Sequence, residues 1–401
     1  MLSRTLLLAA VLSPALIHAA EPASNSPEFQ VCVAGLKETA LERGISSAVV
    51  ERDLASVNYV ARVIELDRQQ PEFSESFATY FDRRVTQDRI VRGRALMQEH
   101  QQLLNRISRE FGVPAQYLVA FWGLETNFGG FFGKMPVLDS LATLACDPRR
   151  SDYFTGELIN ALKIIDEGSI TAEKMQGSWA GAMGHTQFMP SVFLRYAIDY
   201  DGDGKRDLWG SLPDALASAA NFLRGIGWQT EQRWGREVSL PKNFAFEKAG
   251  LANSLSLAQW QSLGVRQTGG TSLPNEDMTA SLLVPTGHEG PAFLVYDNFH
   301  VIMRWNRAEA YALAVGHLAD RINGAGALQR QPAQAPRLSR NQVVALQTAL
   351  NDKGHNAGEP DGVLGPGTRA AISRYQQSRQ QVADGFVSKA ILTELGVPVD
   401  D

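Results

Sequence analysis

The stretch Val113-Pro-Ala-Gln-Tyr-Leu118-Val-Ala-Phe121-Trp122-Gly-Leu-Glu125-Thr-Asn-Phe-Gly129 decides how this chain reads. Pro114 suits the first position of a helix, because its missing N–H is one that a helix start leaves unpaired. From there Leu118, Phe121, Trp122 and Glu125 fall at i, i+3, i+4 and i+7. That spacing sets one carboxylate on the same helical face as three large apolar side chains. Gly129-Gly130 then ends the helix. A carboxyl in apolar surroundings loses solvation of its charged form, so its pKa rises. A glutamic acid still protonated near neutral pH can protonate a leaving oxygen, which glycosidic cleavage requires. On the helix pattern alone, an ordinary helix-end carboxylate paired with an arginine fits as well.

Outward from this segment, residues 28–322 read mostly as helix and loop. Apolar residues recur at three- and four-residue spacing in Val49–Val63, Leu96–Ile107, Leu158–Ile165 and Ala215–Ile226. Between about 236 and 300 the texture changes. Val238-Ser-Leu240, Leu282-Leu-Val284 and Phe293-Leu-Val295 look like short strands between turns. The expected fold is mainly α, with a small β-containing insertion. Residues 323–339, with Gly324-Ala-Gly326 and Gln331-Pro-Ala-Gln-Ala-Pro336, read as a flexible, part-extended linker. Residues 340–398 predict a compact three-helix tail marked by Val343, Leu346 and Leu350, by Ile372 and Tyr375, and by Ile391 and Leu395. Its turns Asp361-Gly362 and Asp384-Gly385 hint at an internal half-repeat.

The chain has 401 residues, 44% of them hydrophobic, enough for two or three packed units. Its formal net charge of -5, without a long basic run, argues against nucleic acid as a partner. Residues 1–20 combine Arg4, an apolar stretch from Leu6 to Ile17 and Ala19-Ala20, the pattern of a cleaved secretory signal. The apolar stretch is too short for a stable membrane span, and no cysteine follows it in a lipoprotein context. A soluble exported protein with no stable membrane anchor is expected. Cys32 and Cys146 are compatible with one disulfide in an oxidising compartment, and equally with two buried thiols.

Two further motifs carry chemistry. Gly177-Ser178-Trp-Ala-Gly-Ala-Met-Gly-His185-Thr-Gln187-Phe-Met-Pro190 mixes small residues, aromatics and amides. Small residues let a backbone approach another surface closely. Such a surface suits sugars, whose ring faces meet apolar groups and whose hydroxyls meet amides; a tight helix-packing loop would look the same. His185 reads as a packing residue. Asp199-Tyr-Asp201-Gly-Asp203-Gly-Lys205-Arg-Asp207 has the spacing of an EF-hand calcium loop, with a backbone carbonyl available at Lys205. Position 12 is Gly210 where a bidentate Glu is expected, and Asp214 is the nearest carboxylate able to close a loop spanning 199–214.

Trp122-Gly-Leu-Glu125-Thr-Asn-Phe-Gly129 and Ser178–Pro190 together resemble the motifs of the lytic murein transglycosylase B family. The order of the aspartate loop, Ala219-Ala-Asn221-Phe222-Leu, Tyr296-Asp-Asn-Phe299 and Arg304-Trp305-Asn306-Arg307 is similar too. The resemblance covers residues 28–322 and implies a lysozyme-like helical catalytic domain. By position it implies Glu125 as the acid/base, with Ser178, Gln187, Phe222, Trp305, Asn306 and Tyr311 along the glycan cleft. It also implies structural Ca2+ on Asp199, Asp201, Asp203, the Lys205 carbonyl and Asp214. Phe222 and Trp305 stand where the family often has Tyr, which removes a hydroxyl at each position. The tail, through Val344-Ala-Leu346-Gln347, Asp361-Gly362-Val-Leu-Gly365, Thr368–Ile372 and Asp384-Gly385, resembles a three-helix peptidoglycan-binding domain. It would add wall affinity by effective concentration.

Two-carboxylate hydrolysis needs a second Asp or Glu, and the motifs supply one. The resemblance therefore implies non-hydrolytic cleavage between N-acetylmuramic acid and N-acetylglucosamine, leaving a 1,6-anhydro end. It implies glycan strands and other cell-wall enzymes as partners, and the periplasm as the location. The rival expectations are a hydrolytic muramidase and a non-catalytic wall-binding scaffold.

Overall fold

The computed structural model describes residues 26–69 and 75–398. The expected signal segment lies outside these residues. Among the described residues, no helix is long and apolar enough to cross a membrane.

The main body is helical, as its periodicity predicts. At its centre is the helix Ala115–Thr126, with most of its residues buried. It packs against Glu309–Ile322, and both share one apolar cluster with Leu216, Leu223, Trp228 and Phe299. A second cluster forms around Val137–Ala145 and Ser151–Asp166. Pro114 takes extended angles and stands just before the first helical residue. Two of the expected helical runs are interrupted. Val49–Val63 divides into a short helical segment ending at Leu54 and a new helix from Ala61. There the Asn58 and Val60 N–H groups bond to the Asp139 and Thr143 side chains instead of continuing a helix. The Leu96–Ile107 run breaks at His100, between Gln87–Glu99 and Gln101–Phe111.

Cys32, in the helix Pro27–Glu42, and Cys146, at the end of Val137–Ala145, form a disulfide. It ties the first described helix to the second apolar cluster.

The insertion is a five-stranded antiparallel sheet in the order Ser254–Ser256, Thr279–Leu283, Ala292–Val295, Gly235–Ser239, Arg266–Gln267. The register pairs Leu282 with Leu294 and Val238 with Ala292. Ala292–Val295 is buried along its whole length, because neighbours cover both of its faces. The two edge strands carry little apolar alternation and gave no signal.

The tail helices are Arg340–Asp352, Pro366–Ser378 and Lys389–Glu394, around Leu346, Leu350, Ile372 and Ile391. The half-repeat is real at the level of hydrogen bonds. Gln347 Nε2 donates to Asp361 Oδ1 at 2.8 Å, and Gln347 Oε1 accepts from the Gly362 N–H. Gln376 does the same with Asp384 and Gly385.

The linker differs from the flexible tether expected. The Gln329 and Arg330 N–H groups donate to the Glu237 carboxylate, and the Ala333 N–H donates to Thr286 Oγ1. Leu328 is buried in the central cluster. The linker is therefore strapped along the β insertion, its backbone donors satisfied by fixed partners. The tail also touches the insertion directly. Asp384 Oδ2 lies 2.9 Å from the His288 N–H and 2.6 Å from its Nδ1.

Candidate active site

The Ala115–Thr126 helix ends in an unusual way. Asn127 (φ 50°) and Phe128 (φ 59°) both adopt left-handed angles before Gly129 (φ 74°). Consecutive non-glycine residues in that region cost energy and persist only where the surroundings over-determine them. Here the Phe128 N–H bonds back to Trp122 O, the Gly129 N–H to Thr126 Oγ1, and the Phe131 N–H to Thr126 O. This termination holds Glu125 as the penultimate residue of the helix, at a partly open position among buried neighbours.

Glu125 Oε1 accepts two hydrogen bonds, from Trp305 Nε1 at 3.0 Å and from the Tyr311 hydroxyl. Burial pushes the Glu125 carboxyl up to about 7, while those two donors and the Arg84 charge pull the other way. A carboxyl titrating there holds a proton at neutral pH and can release it. Among charged groups, Arg84 acts on Glu125. Tyr311 is buried, and its own pKa is pushed well above the usual phenol value by that burial and by Glu125, so its hydroxyl stays a donor.

Trp305 thus supplies, through its indole N–H, a hydrogen bond where a tyrosine hydroxyl was expected to be missing. Its ring lies 4.4 Å from Phe121, 5.0 Å from Phe222 and 5.5 Å from Phe188. Phe222 is 8% exposed and packs on Tyr196 as well. Phe222, expected along the cleft, thus meets Trp305 from the side of Phe188 and Tyr196. Asn306 follows Trp305 at the helix end and is exposed.

Ser178 Oγ accepts from the Ala180 and Ala182 N–H groups, which shapes the Ser178–Pro190 loop. Gln187 (φ 49°) donates from Nε2 to Phe132 O at 3.1 Å and to Gly184 O at 3.0 Å. Both side chains are half-buried. The loop is pinned to the Glu125 helix. Trp122 Nε1 donates to His185 Nδ1 at 2.9 Å, and Thr126 Oγ1 donates to His185 O. Burial holds the His185 ring down to about 4, so it is neutral near pH 7 and serves as an acceptor. It is a packing residue, as its setting in the sequence suggested.

Nothing in the sequence pointed to Tyr80 and Arg84. They lie one turn apart on the helix Phe77–Arg84, with the guanidinium 5.2 Å from the Tyr80 ring centre. The charges of both Arg84 and Glu125 act on Tyr80, which places this helix beside the acid. Tyr and Arg at i, i+4 on an amphipathic helix are too common to be a signal.

The aspartate loop brings Asp199, Asp201 and Asp203 together, with ligand oxygens within 4.8 Å of one another. Asp199 is held by the Gly202 and Gly204 N–H groups. Asp214, expected to close the loop, packs against it. It is fully buried, and its two oxygens accept from the Tyr200, Asp201 and Asp207 N–H groups. Its carboxylate is thereby tied to the backbone of the loop that carries Asp199, Asp201 and Asp203. Asp207 Oδ1 likewise caps the Trp209 and Gly210 N–H groups.

Comparison with known proteins agrees with this geometry. Residues 28–320 match the family model described as "Transglycosylase SLT domain", and residues 339–395 match a peptidoglycan binding domain. Membrane-bound lytic murein transglycosylase B of Escherichia coli K12 is 34% identical over 243 residues, which are 59% of this chain and 65% of that protein. The chain therefore matches somewhat less than two thirds of that relative's length. The structure of SltB3 from Pseudomonas aeruginosa with NAG-anhNAM-pentapeptide superposes with a TM-score of 0.88 at 42% identity, covering 92% of this chain and 100% of that one. Escherichia coli Slt35 in complex with calcium gives 0.63 at 30% identity, covering 75% and 93%. The match over residues 28–320 shows that the chain belongs to the transglycosylase SLT domain family, as a relative of lytic murein transglycosylase B.

Proposed function

We propose that this chain is a lytic transglycosylase that cleaves the β-1,4 bond between N-acetylmuramic acid and N-acetylglucosamine in peptidoglycan. The observation that carries this reading is Glu125, a single acid raised to about 7 with two donors on one oxygen. The Glu125 carboxyl gives its proton to the bridging oxygen as the C1–O bond breaks. The carboxylate then takes the proton of the muramic O6 hydroxyl while O6 bonds to C1. Glu125 ends protonated again, a 1,6-anhydro ring closes and no water is consumed. Tyr311 and Trp305 stabilise the charged form between the two transfers. Ser178, Gln187 and Asn306 edge the glycan cleft.

Mass spectrometry of sacculi digested by the mature chain tests this. Muropeptides one water lighter than hydrolysis products are expected; reducing-end products would replace the reading with a hydrolytic muramidase.

The aspartate loop fits a hard divalent cation, since its oxygens converge and carry like charge. Asp199, Asp201, Asp203 and the Lys205 carbonyl would hold Ca2+, whose contribution is charge neutralisation of the loop. Chelation is expected to lower the Tm by about 5 °C, corresponding to roughly 2 kcal/mol of linked binding, with recovery on adding calcium but not magnesium. A Tm indifferent to chelator would remove the ion from the account.

The protein acts in the periplasm in this reading, on glycan strands and alongside other cell-wall enzymes. The tail adds wall affinity from a docked position rather than from a free tether. A chain ending at residue 338 is expected to bind intact sacculi about a hundredfold more weakly in a pelleting assay, at the low end of what a second binding module supplies. Equal pelleting of the two chains would rule that role out.

A further inference from the structure

Phe131 is 60% exposed, a large apolar side chain on the loop that ends the Glu125 helix. Single exposed apolar residues are ordinary on a surface. The setting of this one is not ordinary. Its N–H is fixed to Thr126 O at 3.0 Å, directly after the catalytic Glu125. The next residue, Phe132, turns inward with its ring 4.6 Å from His185, and its carbonyl accepts from Gln187. Gly133 (φ 92°) then passes so close to the second cleft loop that a Cβ there would lie 1.9 Å from Gly177 O and 2.8 Å from Ser178 N. Phe131 therefore lies on the short segment that runs from the end of the Glu125 helix to the loop carrying Ser178 and Gln187. The left-handed pair Asn127–Phe128 that precedes it marks the loop as constrained by its surroundings.

We propose that Phe131 is an aromatic platform at the rim of the glycan cleft, stacking on the apolar face of a pyranose ring of the strand bound across Glu125. The C–H face of a pyranose is apolar, and covering it removes both that face and the exposed phenyl ring from water. The backbone of the platform is already fixed, so the ring's own rotamer is what the arriving sugar orders. The proposal rests on the glycan-cleaving reading, but the two are tested by different signals. Catalysis is read from anhydro product, and stacking from affinity.

The test measures binding of a soluble tetrasaccharide of alternating N-acetylglucosamine and N-acetylmuramic acid by calorimetry. Glu125→Gln serves as the background, so that the ligand survives. Adding Phe131→Ala is expected to raise Kd about tenfold, the size usual for truncating an exposed aromatic anchor. Phe131→Trp in the same background is expected to restore the original Kd. Because the side chain is exposed, a Tm within a degree or so of the background is expected for both. An unchanged Kd with Phe131→Ala overturns the platform. So does a weakened Kd that Phe131→Trp fails to restore, since that would mean a role in shaping the loop.

Discussion

Glu125→Gln is expected to lower turnover of sacculi by about 10³-fold or more, because one side chain carries both proton transfers. The amide keeps the shape, and its oxygen can still accept from Trp305 and Tyr311. What it loses is the transferable proton. A second readout follows from linkage. The Glu125 pKa is raised from 4.5 to about 7 on folding. Below the lower value both states are protonated, and the group contributes no pH dependence. Between the two values the unfolded chain ionises while the folded one keeps its proton, so stability falls as pH rises. Above the upper value the whole penalty is present, roughly 2–4 kcal/mol. The amide variant escapes it. Its Tm should match the parent near pH 4 and exceed it near pH 8, by calorimetric scanning in matched buffers. Retained turnover would sink the catalytic assignment. A Tm gap that ignored pH would mean that Glu125 is not buried as an acid.

Tyr311→Phe is expected to move the basic limb of the kcat/KM profile to higher pH by about one to two units. A donor to a carboxylate stabilises its charged form by about 1.5–3 kcal/mol, and one pKa unit corresponds to about 1.4 kcal/mol. Losing the hydroxyl therefore raises the Glu125 pKa further above about 7. The acid then stays protonated into more alkaline solution, which extends the limb where protonation limits the rate. Trp305→Phe should shift it in the same direction, since the indole donates to the same oxygen. The profile separates this from a packing effect. Tyr311 is 4% exposed within the central cluster, so a mere packing loss would depress the rate at every pH and leave the limb in place. A limb that moved to lower pH would mean that the hydroxyl does not stabilise the carboxylate.

These two expectations meet at an oxygen whose neighbours come from far along the chain. The apolar helical face that carries Glu125 was legible, because helix periodicity is local, while its reading as the acid came from the resemblance. The aspartate loop was legible for the same reason, its ligand types being contiguous. The tail helices and the three inner strands also declared themselves through short-range apolar spacing. The resemblance named Tyr311, whose hydroxyl meets Glu125, and Ser178 and Gln187, whose loop is pinned to the Glu125 helix.

Tertiary structure decided the rest. Trp305 and Tyr311 lie 180 and 186 residues from Glu125, and no local pattern says which indole or phenol will reach its oxygen. Phe222 went to the layer behind Trp305 because its ring found Phe188 and Tyr196 there, a matter of packing between separate helices. Asp214 became a buried acceptor for three N–H groups, which its spacing from the other aspartates does not reveal. Tyr80 and Arg84 sit on a helix with no motif of its own. The Pro- and Gly-rich linker has the composition of a tether, yet Glu237 and Thr286 bind its backbone. The sequence by itself determined which helix carries Glu125 and which loop clusters its aspartates, because those properties depend on residues a few positions apart. The proton affinity of the acid was settled only by folding, since burial and its two donors require the closure of loops longer than any pattern can span.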